Sequence, residues 1–508
     1  MLDRLGSIRG MKACPLILSL CLFIAQFSLT AVDRPNIVFL FADDQRADTI
    51  GAHGNPHIQT PHLDSLAESG FSFLRNYCAG SYSGAVCVAS RSMLMTGLHW
   101  MNLPEGNKSR SWASLPVLPA VLEKEGGYST YIVGKWHNGL ETLQAAFSNG
   151  KSVYMGGMVD HTDFVVQDYV NGELTPKRSA GGFSSTVFAD AAVEFIDDAD
   201  EEDPFFLFVA LTAPHDTRNP PVKYREMYYS KRPPLPENFL PYHPFTNAPQ
   251  VTGGRDEGLA AWPRTPEVIS DQLCEYYGLI THLDEQVGRV IDAVKNGPHA
   301  DNTIIIYTAD HGLGMGSHGL LGKQNVYEQS MRSPLIISGP GVPAGKSSKA
   351  YSYVHDLYAT VCGFAGVEAP SNIDSVDLES IMSGKKKSIH KTAFLPFQDN
   401  QRAISDGSWK LHVYPKINHT LLFDLENDPH ETNNLAGSPE HQDQLQRMMG
   451  LMKEARDDYG DPDPLLVANP ESKTPVYDNE KRTLDVWQPK WIRDKYFGGR
   501  ERADHGSK

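Results

Sequence analysis

Runs of uninterrupted apolar residues are the clearest pattern along this chain. They occur in PNIVFLFADDQ (35–45), DPFFLFVALTAPHD (203–216) and DNTIIIYTADHG (301–312), and each run is followed by acidic or histidine side chains. A strand that is apolar at every position is covered on both faces, as parallel strands between two layers of helices are. These runs therefore predict a largely parallel sheet.

Segments with helical periodicity lie between these runs. TPHLDSLAESG (60–70) and YYGLITHLDEQVGRVIDAVKN (276–296) fit helices that cross over between parallel strands. In the second segment, apolar side chains recur at helical spacing and form one stripe: Leu279, Leu283, Val287, Val290 and Ile291. The alternation predicts an α/β fold, with a large mixed, mostly parallel sheet sandwiched by helices.

The pattern changes after about residue 390. RAISDGSWKLHVYP and HTLLFDLENDP indicate short antiparallel strands with Asp-Gly and Asn-Asp-Pro turns, and SPEHQDQLQRMMGLMKEARDDYG indicates a helix. We therefore expect a smaller C-terminal α+β domain with a short antiparallel sheet. The predicted boundaries are an N-terminal domain at 32–388, the α+β subdomain at 389–470 and a Pro-rich, charged, loosely ordered tail at 471–508.

Residues 1–31 have the pattern of a secretory signal. Arg4, Arg9 and Lys12 precede an apolar stretch that ends in small residues near Ala31. We predict cleavage of this signal peptide and export to the periplasm or the extracellular space, with no stable membrane span afterwards. A transmembrane anchor is the alternative, although the apolar stretch is near the lower length limit for crossing a bilayer.

Composition and charge narrow the functional classes. The chain has 508 residues, of which 40% are hydrophobic, enough for a large core and more than one domain. Its formal net charge of −16 argues against nucleic acid as a partner, because phosphate binding needs a basic surface. Any bound anion must therefore be held by local positive charge.

Cysteine usage argues against a disulfide scaffold. Cys14 and Cys21 would leave with the signal, and the mature chain keeps Cys78, Cys87, Cys274 and Cys362. These are too few for a disulfide framework in a chain of this length. A bridge between Cys78 and Cys87 remains an alternative to a reactive Cys87.

Acidic side chains follow two of the predicted strands directly. Asp43 and Asp44 end one strand, and Asp310 and His311 end another. Because ligands bind at the carboxyl ends of parallel strands, these side chains are expected at one site. Packed carboxylates repel one another unless a cation lies between them, and oxygen-rich ligation favours Ca²⁺ or Mg²⁺ over zinc. The alternative is that each aspartate is solvated and caps the following helix.

Basic side chains in other motifs could complete an anion site. GKWHNG places Lys135 and His137 two residues apart, so that on a strand both would point to one side. LGKQN adds Lys323, and APHD adds His215 at the end of the third strand. With a metal, these groups would stabilise a tetrahedral anion. Each is weak evidence alone, and the prediction depends on their joint occurrence.

Cys87 lies in the stretch SYSGAVCVASRSMLMTG (81–97). If a helix starts here, Cys87 lies near its N-terminus, where the backbone amides favour negative charge. Arg91, four residues later, lies on the same face. Cys87 is therefore a candidate nucleophile, with a buried structural cysteine as the alternative.

These motifs, in this order, resemble the sulfatases of the alkaline phosphatase superfamily. The family signature begins Cys-x-Pro-Ser-Arg and closes with Thr-Gly, and here it is CVASR (87–91) with TG (96–97). The resemblance continues through NIVFLFADDQ, GKWHNG, APHD, TADHG, GKQNVYEQSMRSPLI and FDLENDPHETNNLA, and covers about residues 35 to 460. It implies an alkaline phosphatase-like fold and hydrolysis of sulfate esters.

The resemblance also implies a modified nucleophile and a metal. In the family a maturation enzyme oxidises the signature cysteine, here Cys87, to formylglycine, whose hydrate is the nucleophile. The second hydroxyl of the hydrate allows sulfate to be expelled and the aldehyde to be restored. Asp43, Asp44, Asp310 and His311 would bind Ca²⁺, or Mg²⁺, together with residue 87. Many family members have asparagine at the position of His311.

The basic residues acquire roles from the same resemblance. Arg91 and Lys135 would hold the hydrate in its reactive form, and His137 would be the base for sulfate elimination. Lys323 and His215 would bind sulfate oxygens, and one of them would help to protonate the departing alcohol.

Two further positions need comment. His318, in GSHGLLGK, is close to Lys323 in sequence and either faces the substrate or lies at the surface. Ala89 stands where the family has proline. Alanine is a good helix residue, so the fold should tolerate it. The resemblance implies that anaerobic radical maturases accept alanine there, whereas oxygen-dependent ones prefer proline.

The function predicted from the sequence is that of an exported sulfatase. Export and a C-terminal domain that could frame a cleft favour a sulfated carbohydrate, algal or glycosaminoglycan, as the substrate. A small aryl or choline sulfate stays open. The alternatives are a phosphatase or phosphonate monoester hydrolase of the same superfamily, and a non-catalytic protein that binds sulfated glycans.

Overall fold

The structure is a computed structural model that describes residues 34–104, 111–201, 203–245, 256–260, 262–475, 477 and 494–495. The predicted signal peptide at 1–31 and most of the predicted tail at 471–508 lie outside these residues.

The strands and helices have the following bounds. The strands are β1 Asn36–Ala42, β2 Gly70–Tyr77, β3 Ser129–Lys135, β4 Asn149–Tyr154, β5 Val165–Val170, β6 Glu173–Leu174, β7 Arg178–Ser179, β8 Phe205–Ala210, β9 Thr303–Ala309, β10 Arg332–Ser333, β11 Leu335–Ser338, β12 Lys346–Tyr353, β13 Ala393–Phe397, β14 Gln401–Ser405, β15 Trp409–Tyr414 and β16 His419–Asp424. The α-helices are α1 Pro61–Ser69, α2 Val86–Thr96, α3 Leu118–Gly126, α4 Leu140–Ala146, α5 Ser184–Asp198, α6 Val222–Ser230, α7 Pro266–Asn296, α8 Glu328–Met331, α9 Asp356–Phe364, α10 Glu379–Met382 and α11 Gln442–Asp458.

A large sheet forms the centre of the fold. In the described part of the chain it has twelve strands, ordered β10-β2-β11-β9-β1-β8-β3-β4-β5-β6, with β12 beside β2 and β7 beside β5. The central strands from β9 to β4 are parallel, and β11, β5 and β6 add antiparallel pairs. The predicted α/β fold with a large mixed sheet is confirmed, and the three apolar runs are its adjacent strands β9, β1 and β8.

Burial on both faces explains why these runs are apolar throughout. Successive side chains of β1 enter opposite hydrophobic cores: Ile37, Phe39 and Phe41 on one side, and Val38, Leu40 and Ala42 on the other. Helices α1, α5 and α7 pack into the core that contains Val38, and α2, α3 and α9 pack into the core that contains Phe39. The predicted stripe on α7, from Leu279 to Ile291, lies entirely in the first of these cores.

A second, smaller sheet follows in the chain. Strands β13, β14, β15 and β16 pair antiparallel in sequence order, and α11 packs on them through Met448 and Met452. The predicted α+β region with a short antiparallel sheet is confirmed. The chain from Arg34 onward clusters as one compact unit, so the boundaries at 388 and 470 stay predictions.

Two further findings concern membranes and cysteines. No helix in the part of the chain that the structure describes combines the length and apolar character needed to cross a bilayer. All four cysteines of the predicted mature chain are buried and free. A Cys78–Cys87 bridge is therefore wrong, and a thiol at position 87 remains available for modification.

Candidate active site

The site begins where β1 ends. Asp43 directly follows Ala42, the last residue of the strand, and Asp44 adopts a left-handed backbone with φ 65°. This turn sends the two neighbouring carboxylates to different partners. Asp43 Oδ2 pairs with the amine of Lys135 and lies 3.3 Å from the Arg91 guanidinium, whereas Asp44 Oδ1 accepts a hydrogen bond of 2.7 Å from Lys323.

The end of β9, the neighbouring strand, supplies the third carboxylate. Asp310 Oδ1 accepts 3.0 Å hydrogen bonds from the backbone N–H groups of Asp44 and His311. These two bonds fix the orientation of the carboxylate. Its other oxygen, Oδ2, lies 3.6 Å from His311 Nε2.

Several potential ligand atoms converge here without partners. Among the described residues, Asp43 Oδ1, Asp44 Oδ2, Asp310 Oδ2 and His311 Nε2 are buried and have no hydrogen-bond partner. One ligand atom from each of Asp43, Cys87, Asp310 and His311 falls within a group no wider than 4.8 Å. Buried polar atoms are normally satisfied, so this set of donors fits a cation.

The electrostatics of the carboxylates agree with a shared cation. Burial, reinforced by Asp43 and Cys87, raises the pKa of Asp310 well above its usual value. Burial alone would also raise the pKa of Asp43, but Lys135, His215 and Arg91 outweigh it and hold that pKa well below its usual value. Opposite shifts in neighbouring carboxyls mark a crowded site that a divalent ion would relieve.

Cys87 is the second residue of helix α2, as the sequence predicted. Its Sγ lies 3.3 Å from His137 Nδ1 and 3.9 Å from Lys135 Nζ. Burial would raise the pKa of the Cys87 thiol, but Lys135 and Lys323 outweigh burial and lower the pKa below its usual value. The side chain at position 87 therefore lies in an environment that favours negative charge.

Helix α2 is hydrogen-bonded to the ends of strands β9 and β3. Ser90 Oγ donates a 2.9 Å hydrogen bond to the Asp310 carbonyl, and Arg91 Nη1 donates one of 2.9 Å to the Lys135 carbonyl. Ala89 is buried within the same helix, which begins at Val86 without a proline at position 89. Ala89 therefore lies within the helix, and the tolerance of the fold for alanine in place of proline stays a prediction.

Lys135 and His137 reach the same point by a different route from the one predicted. Strand β3 ends at Lys135, and His137 has a left-handed backbone with φ 66°. Strand alternation therefore does not align the two side chains, and that part of the prediction is wrong. Burial, together with Lys135 and Arg91, lowers the pKa of His137 to about 2, so its imidazole is neutral near pH 7.

His215 and Lys323 both contact the Asp44 carboxylate. His215 Nε2 is 3.7 Å from Asp44 Oδ2, and its Nδ1 lies 2.8 Å from the Asp216 carbonyl. Burial holds the pKa of His215 well below its usual value, with Lys323 acting in the same direction against Asp44. A neutral imidazole and a lysine therefore lie together beside Asp44.

His318 is buried, so the predicted surface alternative is wrong. Its side chain is 5% exposed and stacks on Tyr327 with 3.8 Å between ring centroids. His318 Nε2 lies 3.1 Å from Asn238 Nδ2. Burial lowers its pKa to about 3, against the opposing effect of Glu431. Whether His318 contacts the substrate stays a prediction.

Residues outside the sequence motifs also build the site. The Tyr276 hydroxyl, on α7, donates a 2.5 Å hydrogen bond to the Asp44 carbonyl and accepts one from the Arg46 N–H. Ser90 lies inside the signature CVASR, but the sequence assigned no role to it; its hydroxyl binds the Asp310 carbonyl. A tyrosine on an amphipathic helix carries no local signal for such a contact, which only tertiary packing creates.

Comparison with known protein families gives matches to almost the whole described chain. A family model described as "Sulfatase" matches residues 35–367. A second model, described as "N-sulphoglucosamine sulphohydrolase, C-terminal", matches residues 316–458.

Individual relatives are similar over most of their length. An N-acetylglucosamine-6-O-sulfatase of Bacteroides thetaiotaomicron is 26% identical over 522 residues, covering 89% of this chain and 90% of that protein. A multifunctional alkaline phosphatase superfamily protein of Trinickia caryophylli is 28% identical over 484 residues. The match covers 80% of this chain and 92% of that protein.

A solved structure shares the fold. It is that of a protein in complex with its substrate D-glucosamine-2-N,6-O-disulfate, and its TM-score is 0.72 at 24% identity, covering 85% of this chain and 99% of that chain. Because the first family model spans well over half of the sequence, the chain belongs to the sulfatase family of the alkaline phosphatase superfamily and is a sulfuric ester hydrolase.

Proposed function

We propose that this protein is an exported sulfatase that hydrolyses a sulfate ester of a carbohydrate with a formylglycine nucleophile at position 87 and a bound Ca²⁺. The reaction is R–O–SO₃⁻ plus water to R–OH plus sulfate and a proton. The observation that carries the proposal is the convergence of unpartnered ligand atoms, among the described residues, on the side chain of Cys87.

Asp43, Asp44, Asp310 and His311 would hold the metal ion. Three carboxylates and a single imidazole make an oxygen-rich set, which favours Ca²⁺, with Mg²⁺ as the other hard cation. The ion would supply Lewis-acid stabilisation of charge on a sulfate oxygen and on residue 87. Lys135 and Arg91 pair with Asp43 and Lys323 pairs with Asp44, so these cations already offset part of the negative charge around the ion.

The chain's own side chains would handle the protons at residue 87. His137 Nδ1 lies 3.3 Å from Cys87 Sγ and is neutral near pH 7, as a general base must be. Lys135 would stabilise negative charge on the oxygen that replaces sulfur. Arg91 holds the Lys135 carbonyl and the Asp43 carboxylate, and so fixes the position of both.

Lys323 and His215 would bind the sulfate on its other side. Both contact the Asp44 carboxylate, so they would face a group bound at the metal. Lys323 offers only donors, which suits sulfate oxygens. A protonated form of either group could transfer a proton to the departing alcohol oxygen.

The carbohydrate substrate is supported by the relatives rather than by the site. The Bacteroides thetaiotaomicron relative is named for N-acetylglucosamine 6-O-sulfate, and the substrate of the structural neighbour is a sulfated glucosamine. Export through the predicted signal peptide is consistent with a substrate outside the cell.

Mass spectrometry and paired assays test the proposal. The protein is produced with an anaerobic radical maturation enzyme, the peptide that contains residue 87 is analysed, and sulfate and phosphate esters of the same alcohol are assayed side by side. We expect an aldehyde at position 87 and faster hydrolysis of the sulfate ester. A higher rate on the phosphate ester would instead support the phosphatase alternative. Unmodified cysteine in protein from the native host would support the binding alternative.

A further inference from the structure

Arg218 is a buried cation that the proposed reaction does not use. It lies on the loop between β8 and α6, three residues after His215, and its side chain is as buried as those of His215 and Cys87, each 2% exposed. A guanidinium cannot lose its charge at physiological pH, so its burial must be compensated by hydrogen bonds and an anion.

The other fully buried arginines have such compensation. Arg91 lies 3.3 Å from Asp43, Arg264 lies 2.5 Å from Glu257, and Arg402 lies 2.7 Å from Asp461. Each of these three arginines therefore has a carboxylate partner. Within the residues that the structure describes, Arg218 has no ion pair, which distinguishes it from the rest.

The polar contact of Arg218 is to an amide. Its Nη1 donates a 2.8 Å hydrogen bond to Gln272 Oε1. Because the guanidinium has only donors, the amide oxygen must face it and the amide nitrogen is left over. Arg218 Nε, Arg218 Nη2 and Gln272 Nε2 are buried and have no hydrogen-bond partner in the described ranges. Three adjacent donors with no acceptor suit an anion.

The two elements that carry Arg218 and Gln272 also contact Asp44, one through its carboxylate and the other through its backbone carbonyl. His215, on the Arg218 loop, lies 3.7 Å from Asp44 Oδ2. Tyr276, on α7 with Gln272, donates to the Asp44 carbonyl. Gln272 is one helical turn before Tyr276 on the same face, about 6 Å along the helix. The Arg218–Gln272 pair is therefore carried by the two elements that contact Asp44 through His215 and Tyr276.

We infer that Arg218 and Gln272 form a second anion subsite, which binds a negatively charged substituent on the alcohol part of the substrate. The substituent is either a second sulfate or the carboxylate of a uronic acid, since both present oxygens to a guanidinium fork. The inference rests on the proposed sulfatase function and makes it more specific: the preferred substrate is a saccharide with two anionic groups.

The kinetic test compares substrates that differ in this substituent. The probes are 4-nitrophenyl sulfate, D-glucosamine 6-sulfate, D-glucosamine 2-N,6-O-disulfate and a 6-sulfated disaccharide with a uronate. Arg218→Gln is expected to lower kcat/KM by about 10- to 100-fold for a doubly charged probe, because a charge-assisted hydrogen bond is lost. The decrease for 4-nitrophenyl sulfate, which has no second anionic group, should be much smaller. Comparison of the last two probes tells the second sulfate from the carboxylate.

Two further variants separate recognition from folding. Gln272→Glu places a carboxylate beside Arg218, so we expect a higher thermal midpoint together with loss of the preference for doubly charged probes. Arg289→Gln, on the same helix but 42% exposed and paired with Asp190, is the matched control and should alter neither property. Equal loss of activity on all probes in Arg218→Gln, or a lowered thermal midpoint in Gln272→Glu, would overturn the subsite.

A binding measurement keeps this inference separate from the proposed function. Calorimetry on Cys87→Ala, which has no thiol or hydroxyl to oxidise to the aldehyde, measures the affinity of each saccharide with and without Arg218→Gln. Weaker binding of only the doubly charged saccharides supports the subsite even if no ester is hydrolysed. Equal affinity for D-glucosamine 6-sulfate and both doubly charged probes in Cys87→Ala would refute the subsite and leave the sulfatase proposal intact.

Discussion

The buried charges at the proposed metal site and those beside the small sheet differ in how completely they are paired. The metal-site cluster contains Asp43, Asp44, Asp310, Arg91, Lys135 and Lys323. The C-terminal cluster contains Glu328, Lys410, His412 and Glu431, and joins the small sheet to helix α8.

In the C-terminal cluster every carboxylate oxygen has a donor or a basic side chain within 3.1 Å, although the contact of Glu431 Oε1 with His412 Nε2 is an ion pair without hydrogen-bond alignment. Glu328 accepts from Lys410 and from the Tyr77 hydroxyl, each at 2.8 Å. Glu431 lies 2.9 Å from His412 Nε2 and accepts from the Glu328 N–H at 2.7 Å. In the metal-site cluster, one oxygen of each aspartate has no such partner among the described residues.

The difference teaches how to tell structural charge from functional charge. Buried ions cost several kcal/mol each unless they are paired, so a fully paired cluster can be retained for structure alone. A cluster with aligned but unpartnered oxygens is stable only in the presence of another ion. Changes in the C-terminal cluster should therefore affect stability, and changes in the metal-site cluster should affect activity and metal dependence.

The largest effect is expected from Cys87→Ala. Loss of the nucleophile should reduce kcat for 4-nitrophenyl sulfate by about 10⁴-fold or more. The thermal midpoint should stay close to that of the wild type, because a buried thiol becomes a smaller apolar group. Initial rates and thermal unfolding check both parts. Retained activity would show that residue 87 is not the nucleophile and would remove the basis for the comparison.

The next largest effect is expected from removal of the metal or of one of its ligands. Treatment with a chelator should abolish activity and lower the thermal midpoint, and Ca²⁺ should restore both, because the unpartnered oxygens then repel one another. Asp310→Asn should lower kcat/KM by more than about 100-fold. Full activity after exhaustive chelation would contradict a metal in this cluster.

A smaller effect, on stability alone, is expected from Glu431→Gln. Lys410 would keep its charge while losing one of its carboxylate partners, which should cost about 3 kcal/mol in the free energy of unfolding. Denaturant titration measures this loss, and kcat/KM of the folded protein should not change. Glu426→Gln, an exposed change that affects only a hydrogen bond to Ser408, is the control. A comparable loss in both variants would show that the paired cluster has no special role.

The smallest effect is the pH dependence of the difference in unfolding free energy between the wild type and Glu431→Gln. Burial would raise the pKa of Glu431, but Lys410 and His412 outweigh it and hold the pKa well below its usual value. A depressed folded-state pKa adds stability above the unfolded pKa, near 4.3, and that stability is lost as pH falls further. The gap between wild type and Glu431→Gln should thus be full near pH 7 and shrink below about pH 4. Unfolding curves across this range measure it, and a gap that widened in acid would refute this account.

The centre of the fold could be predicted because its physics is local. A strand buried on both faces must be apolar at every position, so β1, β8 and β9 were visible as runs, and the side chains at their carboxyl ends had to meet. The position of Asp43, Asp44 and Asp310 followed from this rule. The small antiparallel sheet followed from its turn residues.

Other features depend on long-range packing and had no local pattern. Helix α7 begins at Pro266, well before the predicted 276. The prediction missed the first turns because they carry the buried polar residues Asp271, Gln272 and Glu275, which interrupt the apolar stripe. The contact of Gln272 with Arg218 joins residues from separate elements. Thr265, which caps the helix, and Pro266 were the available signals for the true start.

The left-handed backbone of Asp44 has a consequence for the evolution of such sites. Apart from glycine, asparagine and aspartate adopt this conformation most readily, so asparagine is the substitution that keeps both backbone and side-chain shape. Under the proposed function, Asp44→Asn would therefore remove a charged metal ligand while the backbone conformation is kept. Position 44 is thus one at which a single substitution would separate binding of a sulfated ligand from its hydrolysis, and it is the first to inspect when related proteins are sorted into enzymes and binding proteins.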